Sequence, residues 1–192
     1  MPRDSGSKEE ATGVVERCMK PLPGLRWPLA AIEVGAGLLI AVLALSALVE
    51  PAVWLLHTVQ ALIIYGGVIL LARRDSPWGF GAGFTIAALW NTANLFVTGF
   101  AAGGLQALLE LVRGGRLTHP ALLLVLVGTI GHFLMIIGCA VGFLRRRPRP
   151  GDWWRLVGGA ILLILALVAI FPLRTHSTPL PLDVPPAHDH LR

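Results

Sequence analysis

Charge is what this sequence has least of: Asp, Glu, Lys and Arg make up 14% of its 192 residues, and hydrophobic residues 55%. Soluble domains carry about 25% charged residues, so too little charge is present to coat a water-facing surface. Mean hydropathy is +0.70, and the apolar residues fall in long uninterrupted blocks rather than short alternating ones. A water-soluble fold is excluded as the working reading. Cysteine is scarce too. Cys18 stands in the polar N-terminal stretch and Cys139 inside an apolar block, with no Cys-x-x-Cys pair. No disulfide is expected between them, and Cys139 reads as a small hydrophobe. The chain also lacks a phosphate-binding loop, a His-Glu-x-x-His zinc motif and a Gly-x-Ser-x-Gly elbow, which removes several familiar soluble-enzyme readings. The formal charge of +5 does not point to nucleic acid, because the basic residues flank apolar blocks and form no basic face with interleaved aromatics. Positive charge beside apolar blocks sets membrane topology and meets anionic headgroups. The expected partner is the lipid bilayer.

What is present are apolar stretches at about 28–49, 52–72, 79–101, 120–144 and 153–173. Each holds about 20 or more residues, enough to cross a hydrocarbon core about 30 Å thick at 1.5 Å per residue. Lipid offers unpaired backbone amides no partner, so the spans must be helical. About 27 mixed-charge residues precede the first stretch, which is too long for a signal-peptide core and reads as a retained helix. The sequence thus predicts an all-α integral membrane protein, a bundle of five transmembrane helices. Its parts are an N-terminal tail at 1–27, a transmembrane domain at 28–173 and a Pro- and His-containing tail at 174–192.

Orientation follows from the basic residues. Arg3, Lys8, Arg17, Lys20 and Arg26 precede span one, Arg73 and Arg74 follow span two, and Arg145, Arg146, Arg147 and Arg149 follow span four. The other side carries Glu50, Arg113, Arg116, Arg174 and Arg192. Positive charge accumulates inside, so the N-terminus is expected in the cytoplasm and the C-terminus outside, in a plasma or inner membrane. Trp27, Trp78, Trp153 and Trp154 mark inner edges and Trp54 an outer one, as interfacial tryptophans do. Trp90 falls mid-span and is expected to pack between helices. In the connection at 102–119, Leu105, Leu108, Leu109 and Val112 share one helical face opposite Gln106, Glu110 and Arg113. That pattern, between Gly103–Gly104 and Gly114–Gly115, predicts a short interfacial helix on the outer leaflet. His176, His188 and His190, in the proline-rich tail, read as solvated rather than as a preorganised metal site.

Polar residues inside spans are expensive and invite a functional reading. Spans one and five have almost none away from their ends. Span two carries His57 and Gln60, span three Asn91, Asn94 and Thr98, and span four Thr129 and His132, each set at helical spacing that shares a face. These residues predict a polar pocket between spans two, three and four in the outer half of the bilayer. There the imidazoles of His57 and His132 would ligate a metal or haem or carry protons. The amides of Gln60, Asn91 and Asn94 would hold a ligand. The competing reading is interhelical glue, since such side chains often only bond helices together. With histidines on spans two and four of a five-span chain, the sequence resembles, in topology and ligand type only, the cytochrome b anchors of succinate:quinone reductases. Two-haem members of that family also have histidines on spans one and three, which this chain lacks. Counting residues from the outer ends separates His57 from His132 by roughly 10 Å of depth. At the inner side, Glu33 of span one and Arg155 of span five are expected to form a structural ion pair.

The reading that leads is a small multi-pass membrane subunit or accessory protein with a polar ligand or cofactor site, assembling with other membrane subunits or with itself. An intramembrane redox or metal enzyme using His57 and His132 is the alternative, and a small-solute transporter a third. The identity of any cofactor is not readable from the sequence.

Overall fold

The computed structural model describes residues 26–49, 54–116 and 120–170. The expectations for the N-terminal tail with Cys18, for Glu50, and for the C-terminal tail with its histidines lie outside the described residues. Every regular element among these is helical. Five helices are long and apolar enough to cross a membrane: Arg26–Leu48, Trp54–Arg73, Pro77–Val97, Pro120–Arg145 and Pro150–Ala169, here spans one to five. The protein is a multi-pass membrane protein, all-helical in its regular elements among the described residues.

Local chemistry sets the ends of these spans. Span three stops at Val97, short of the expected 101, because Gly99 adopts a left-handed conformation with φ of 66° that glycine accepts without steric cost. Span five starts at Pro150 rather than near 153. Proline fits the first helical position, and the Asp152 carboxylate accepts the Arg149 N–H at 3.0 Å, one half of a capping box.

Two interruptions were not legible in the sequence. Span two is π-helical over Gln60–Tyr65 and span three over Ala93–Val97. In a regular α-helix residues five apart point about 140° away from each other, whereas the i→i+5 bonding of a π-turn brings them closer to one face. Gln60 and Tyr65 are accordingly both buried.

Spans one and four make the most extensive contact, and span four also packs on span three, which in turn meets span two; span two closes the ring against span one. Span five stands outside this ring, against span three. In lipid no hydrophobic force joins helices, so close backbone approach at small residues does. A Cβ on Gly35 would sit 2.5 Å from the Gly131 carbonyl oxygen, and one on Gly138 2.7 Å from that of Pro28. A Cβ on Gly81 would overlap the backbone of Leu156 and one on Gly159 that of Trp78, which fixes span three against span five.

The short helix runs from Phe100 to Val112. Gly103 and Gly104 therefore lie within it rather than before it. It packs on span four through Ala101, Gly104 and Ala107, because the small side chains admit the backbone of Leu122. Leu105, Leu108, Leu109 and Val112 are left exposed. Trp90 is also exposed and does not pack between helices as expected. Asn91 beside it takes the inward position, and one residue turns a helix by about 100°.

The arginine-rich end is tied together by charge. Arg146 donates to the Asp75 carbonyl oxygen at 2.7 Å and lies 3.8 Å from the carboxylates of both Asp75 and Asp152. This one side chain joins the turn between spans two and three to the start of span five. Asp75 and Arg147 hold positive φ angles of 53° and 55° in the two turns. The expected pair of Glu33 with Arg155 does not form. Glu33 pairs with Arg73 of span two at 2.6 Å, and Arg155 with Asp152 of its own helix at 3.6 Å. The reason is placement: span one closes the ring against span two, while span five lies outside it.

Candidate functional site

Gln60, Asn91, Asn94, Thr129, His132 and Asp152 are the buried polar or charged residues described. All but Asp152 belong to spans two, three and four. Because Arg146 ties the turn after span two to the end of span four, depth is best counted from that end. Gln60 lies thirteen residues before Arg73, His132 thirteen before Arg145, and Asn91 fourteen after Pro77. At 1.5 Å per residue each is about 20 Å from the arginine-rich ends. Three buried polar side chains on three helices thus share one level, with Thr129 and Asn94 about one turn farther out. Below them, toward the arginines, Ile64, Val68, Ile86, Ala87, Met135 and Cys139 form an apolar core.

Tyr65 adds a group that reasoning from polar residue types passed over. Its hydroxyl and His132 Nε2 are 2.9 Å apart, with the rings tilted and their centroids 6.0 Å apart. Tyr65 starts lower in the bundle than His132. Its Cα–Cβ bond tilts toward the helix N-terminus, which in span two is the arginine-poor end, so the phenol reaches up to the imidazole. Tyr65 is the only tyrosine in the chain and sits mid-span, away from the interface that tyrosine prefers. That was the available signal.

His132 is 4% exposed. Its Nδ1 has no partner of hydrogen-bonding geometry among the described residues, the group it approaches being the carbonyl of Gly128 one turn back. Asn91, also 4% exposed, has neither amide atom hydrogen-bonded among those residues. Thr129, by contrast, is satisfied within its own helix, donating to the Val125 carbonyl at 2.9 Å. Thr98 lies past the end of span three and donates to the Ala93 carbonyl at 3.2 Å.

His57 is half-buried and stands one turn beyond Gln60 toward the arginine-poor end. Counted from the tied end, it lies about 4 Å farther out than His132, less than the roughly 10 Å obtained from the outer ends, because span two is shorter than span four. His132 Nε2 is nevertheless hydrogen-bonded to Tyr65. No group of three or more His, Cys, Asp or Glu side chains gathers as a metal-ligand set among the described residues. What the arrangement offers is uncharged hydrogen-bonding chemistry: amide donors and acceptors beside a phenol–imidazole pair.

No family model, no curated protein and no solved structure matches this chain.

Proposed function

We propose that this protein is a small multi-pass membrane subunit or accessory protein that holds a polar ligand between spans two, three and four, in the arginine-poor half of the bilayer. The observation that carries this reading is Asn91. A buried amide without partners costs about 1–3 kcal/mol, and membrane-embedded polar groups mark functional sites by default. A ligand bonded to both amide atoms removes that cost when it binds. The two π-helical segments begin at Gln60 and enclose Asn94, at or near the same level, and such segments occur frequently at functional sites. Gln60, Asn94 and His57 are assigned to the walls of the site and the Tyr65–His132 pair to its floor.

The arginine distribution supports an N-terminus in the cytoplasm and a C-terminus outside, in a plasma or inner membrane. The site then opens toward the outer leaflet, and the Phe100–Val112 helix lies beside it at the interface. Cysteine-accessibility labelling at Arg147 in intact cells tests the orientation: protection from outside is expected, and labelling would reverse it. The ligand reading is tested by native mass spectrometry of protein released from lipid nanodiscs. A small molecule should accompany the wild type and be lost from Asn91→Leu. An unchanged spectrum, with Asn91→Leu more stable than the wild type, would reduce Asn91 to a packing residue.

A further inference from the structure

From the same site we infer the class of its ligand: an uncharged, membrane-dissolved molecule whose head group both donates and accepts hydrogen bonds, such as a primary carboxamide or an alcohol. The inference rests on the proposed function and narrows it.

The charge of the ligand follows from what surrounds it. The buried polar side chains of spans two to four are amides, a threonine and a histidine, and the one buried charged residue described, Asp152, belongs to the arginine-rich end. A charged head would lose its hydration about 20 Å from those charges, counted along the spans, with no buried charged side chain at its own level among the described residues. That loss is prohibitive in a low-dielectric interior. A neutral polar head loses far less, and regains it through hydrogen bonds.

The hydrogen-bonding pattern follows from Asn91. Its Nδ2 has protons to give and its Oδ1 lone pairs to accept with, and neither is engaged among the described residues. A head that only accepts, such as an ester or a ketone, would satisfy Nδ2 and leave Oδ1 unpaired. A primary carboxamide satisfies both in one cyclic amide–amide pair, and a hydroxyl does so through a single atom. His132 Nε2 and the Tyr65 hydroxyl are already engaged with each other and leave Asn91 as the principal anchor.

The source of the ligand follows from the packing beyond the polar level. The first segment of span two, Trp54–Val59, contains no buried residue. On span three Leu95, Phe96 and Val97 are all exposed, Phe96 by 82%. Spans two and three are thus thinly covered just outside Gln60 and Asn94. An alkyl chain can lie against these apolar side chains while its head reaches Asn91, so access is lateral, from lipid.

The test uses the full chain in phosphatidylcholine nanodiscs, with thermal unfolding as the readout. The probes are dodecanamide, dodecanol, methyl dodecanoate, ionised dodecanoate and acetamide. Dodecanamide and dodecanol are expected to raise Tm by several degrees, methyl dodecanoate and dodecanoate to raise it little, and acetamide not at all. Asn91→Leu should fold and lose the response, and Asn91→Gln should recover part of it. Stabilisation by dodecanoate equal to that by dodecanamide would overturn the neutral class, and a response to acetamide the lipid source; both outcomes leave the site itself standing. Failure of every probe to shift the wild type, with Asn91→Leu more stable than the wild type, would remove the ligand site altogether.

Discussion

At the arginine-rich end, Arg146 alone meets two carboxylates and a backbone carbonyl, Glu33 is paired with Arg73, and Arg145 lies 5.0 Å over the ring of Trp27. About 20 Å along the same helices, Asn91 is more deeply buried than any of these charged groups and has no hydrogen-bond partner among the described residues. One end spends its polar groups on joining turns and helices to one another. The middle of the bundle leaves an amide unengaged where engagement would be worth most. The arginine-rich end holds one such atom too, since Asp75 Oδ1 has no hydrogen-bond partner among the described residues, but Asp75 is 39% exposed at its side chain and lies beside Arg146. The contrast is between an end whose charges lie beside opposite charges and a layer in which a deeply buried amide is unpaired among the described residues.

The contrast is broken most directly at Arg146. Arg146→Ala leaves Asp152 buried without its cross-turn partner and is expected to cost about 3 kcal/mol, the lower part of the range for truncating one member of a buried ion pair. Thermal unfolding in detergent measures it, and a loss under 1 kcal/mol would mean that the two turns are held by packing alone.

Next comes the cross-helix bond between Tyr65 and His132. Tyr65→Phe keeps the ring and deletes the hydroxyl, so His132 Nε2 loses its partner, at an expected cost of about 1–2 kcal/mol. In a double-mutant cycle with His132→Leu the two changes should couple strongly. Additive effects would show that the 2.9 Å contact contributes nothing.

A smaller effect, and one of opposite sign, is expected at Asp75. Burial raises its carboxyl above the ordinary carboxylate value, Arg146 offsets part of that rise, and Asp152 adds to it. A carboxyl whose folded-state pKa is raised binds protons more readily folded than unfolded. Its stabilising contribution is present in full below the unfolded pKa and is lost as pH rises through the folded one. Asp75→Asn should therefore be tolerated at neutral pH or slightly stabilise. It should also remove the gain in stability that Asp75 gives the wild type as pH falls through that window. Parallel stability–pH curves for the two proteins would refute this. Asparagine suits the position because it accepts positive φ as readily as aspartate.

The smallest change is expected at the pair that replaces the anticipated one. Arg73 and Glu33 have side chains 62% and 32% exposed, so Arg73→Gln should cost no more than about 1 kcal/mol. A loss comparable to that of Arg146→Ala would place this pair among the groups that hold the end together.

The sequence by itself determined that the chain is a five-span helical membrane protein, where each span lies to within a few residues, and which spans carry polar side chains. Those features follow from composition and from the length needed to cross lipid. Tertiary structure alone decided the rest. Glu33 takes Arg73 and not Arg155 because the helices form a ring of four with span five outside, and no count along a chain reveals which helices touch. The Tyr65–His132 bond depends on a phenol reaching up from a π-helical turn, and a tyrosine among apolar neighbours gives no warning of such a turn. Gln60, Asn91 and His132 share a level because Arg146 ties two turns together at one end. Depth counted from the outer ends of helices of unequal length instead separates His57 from His132 by roughly 10 Å.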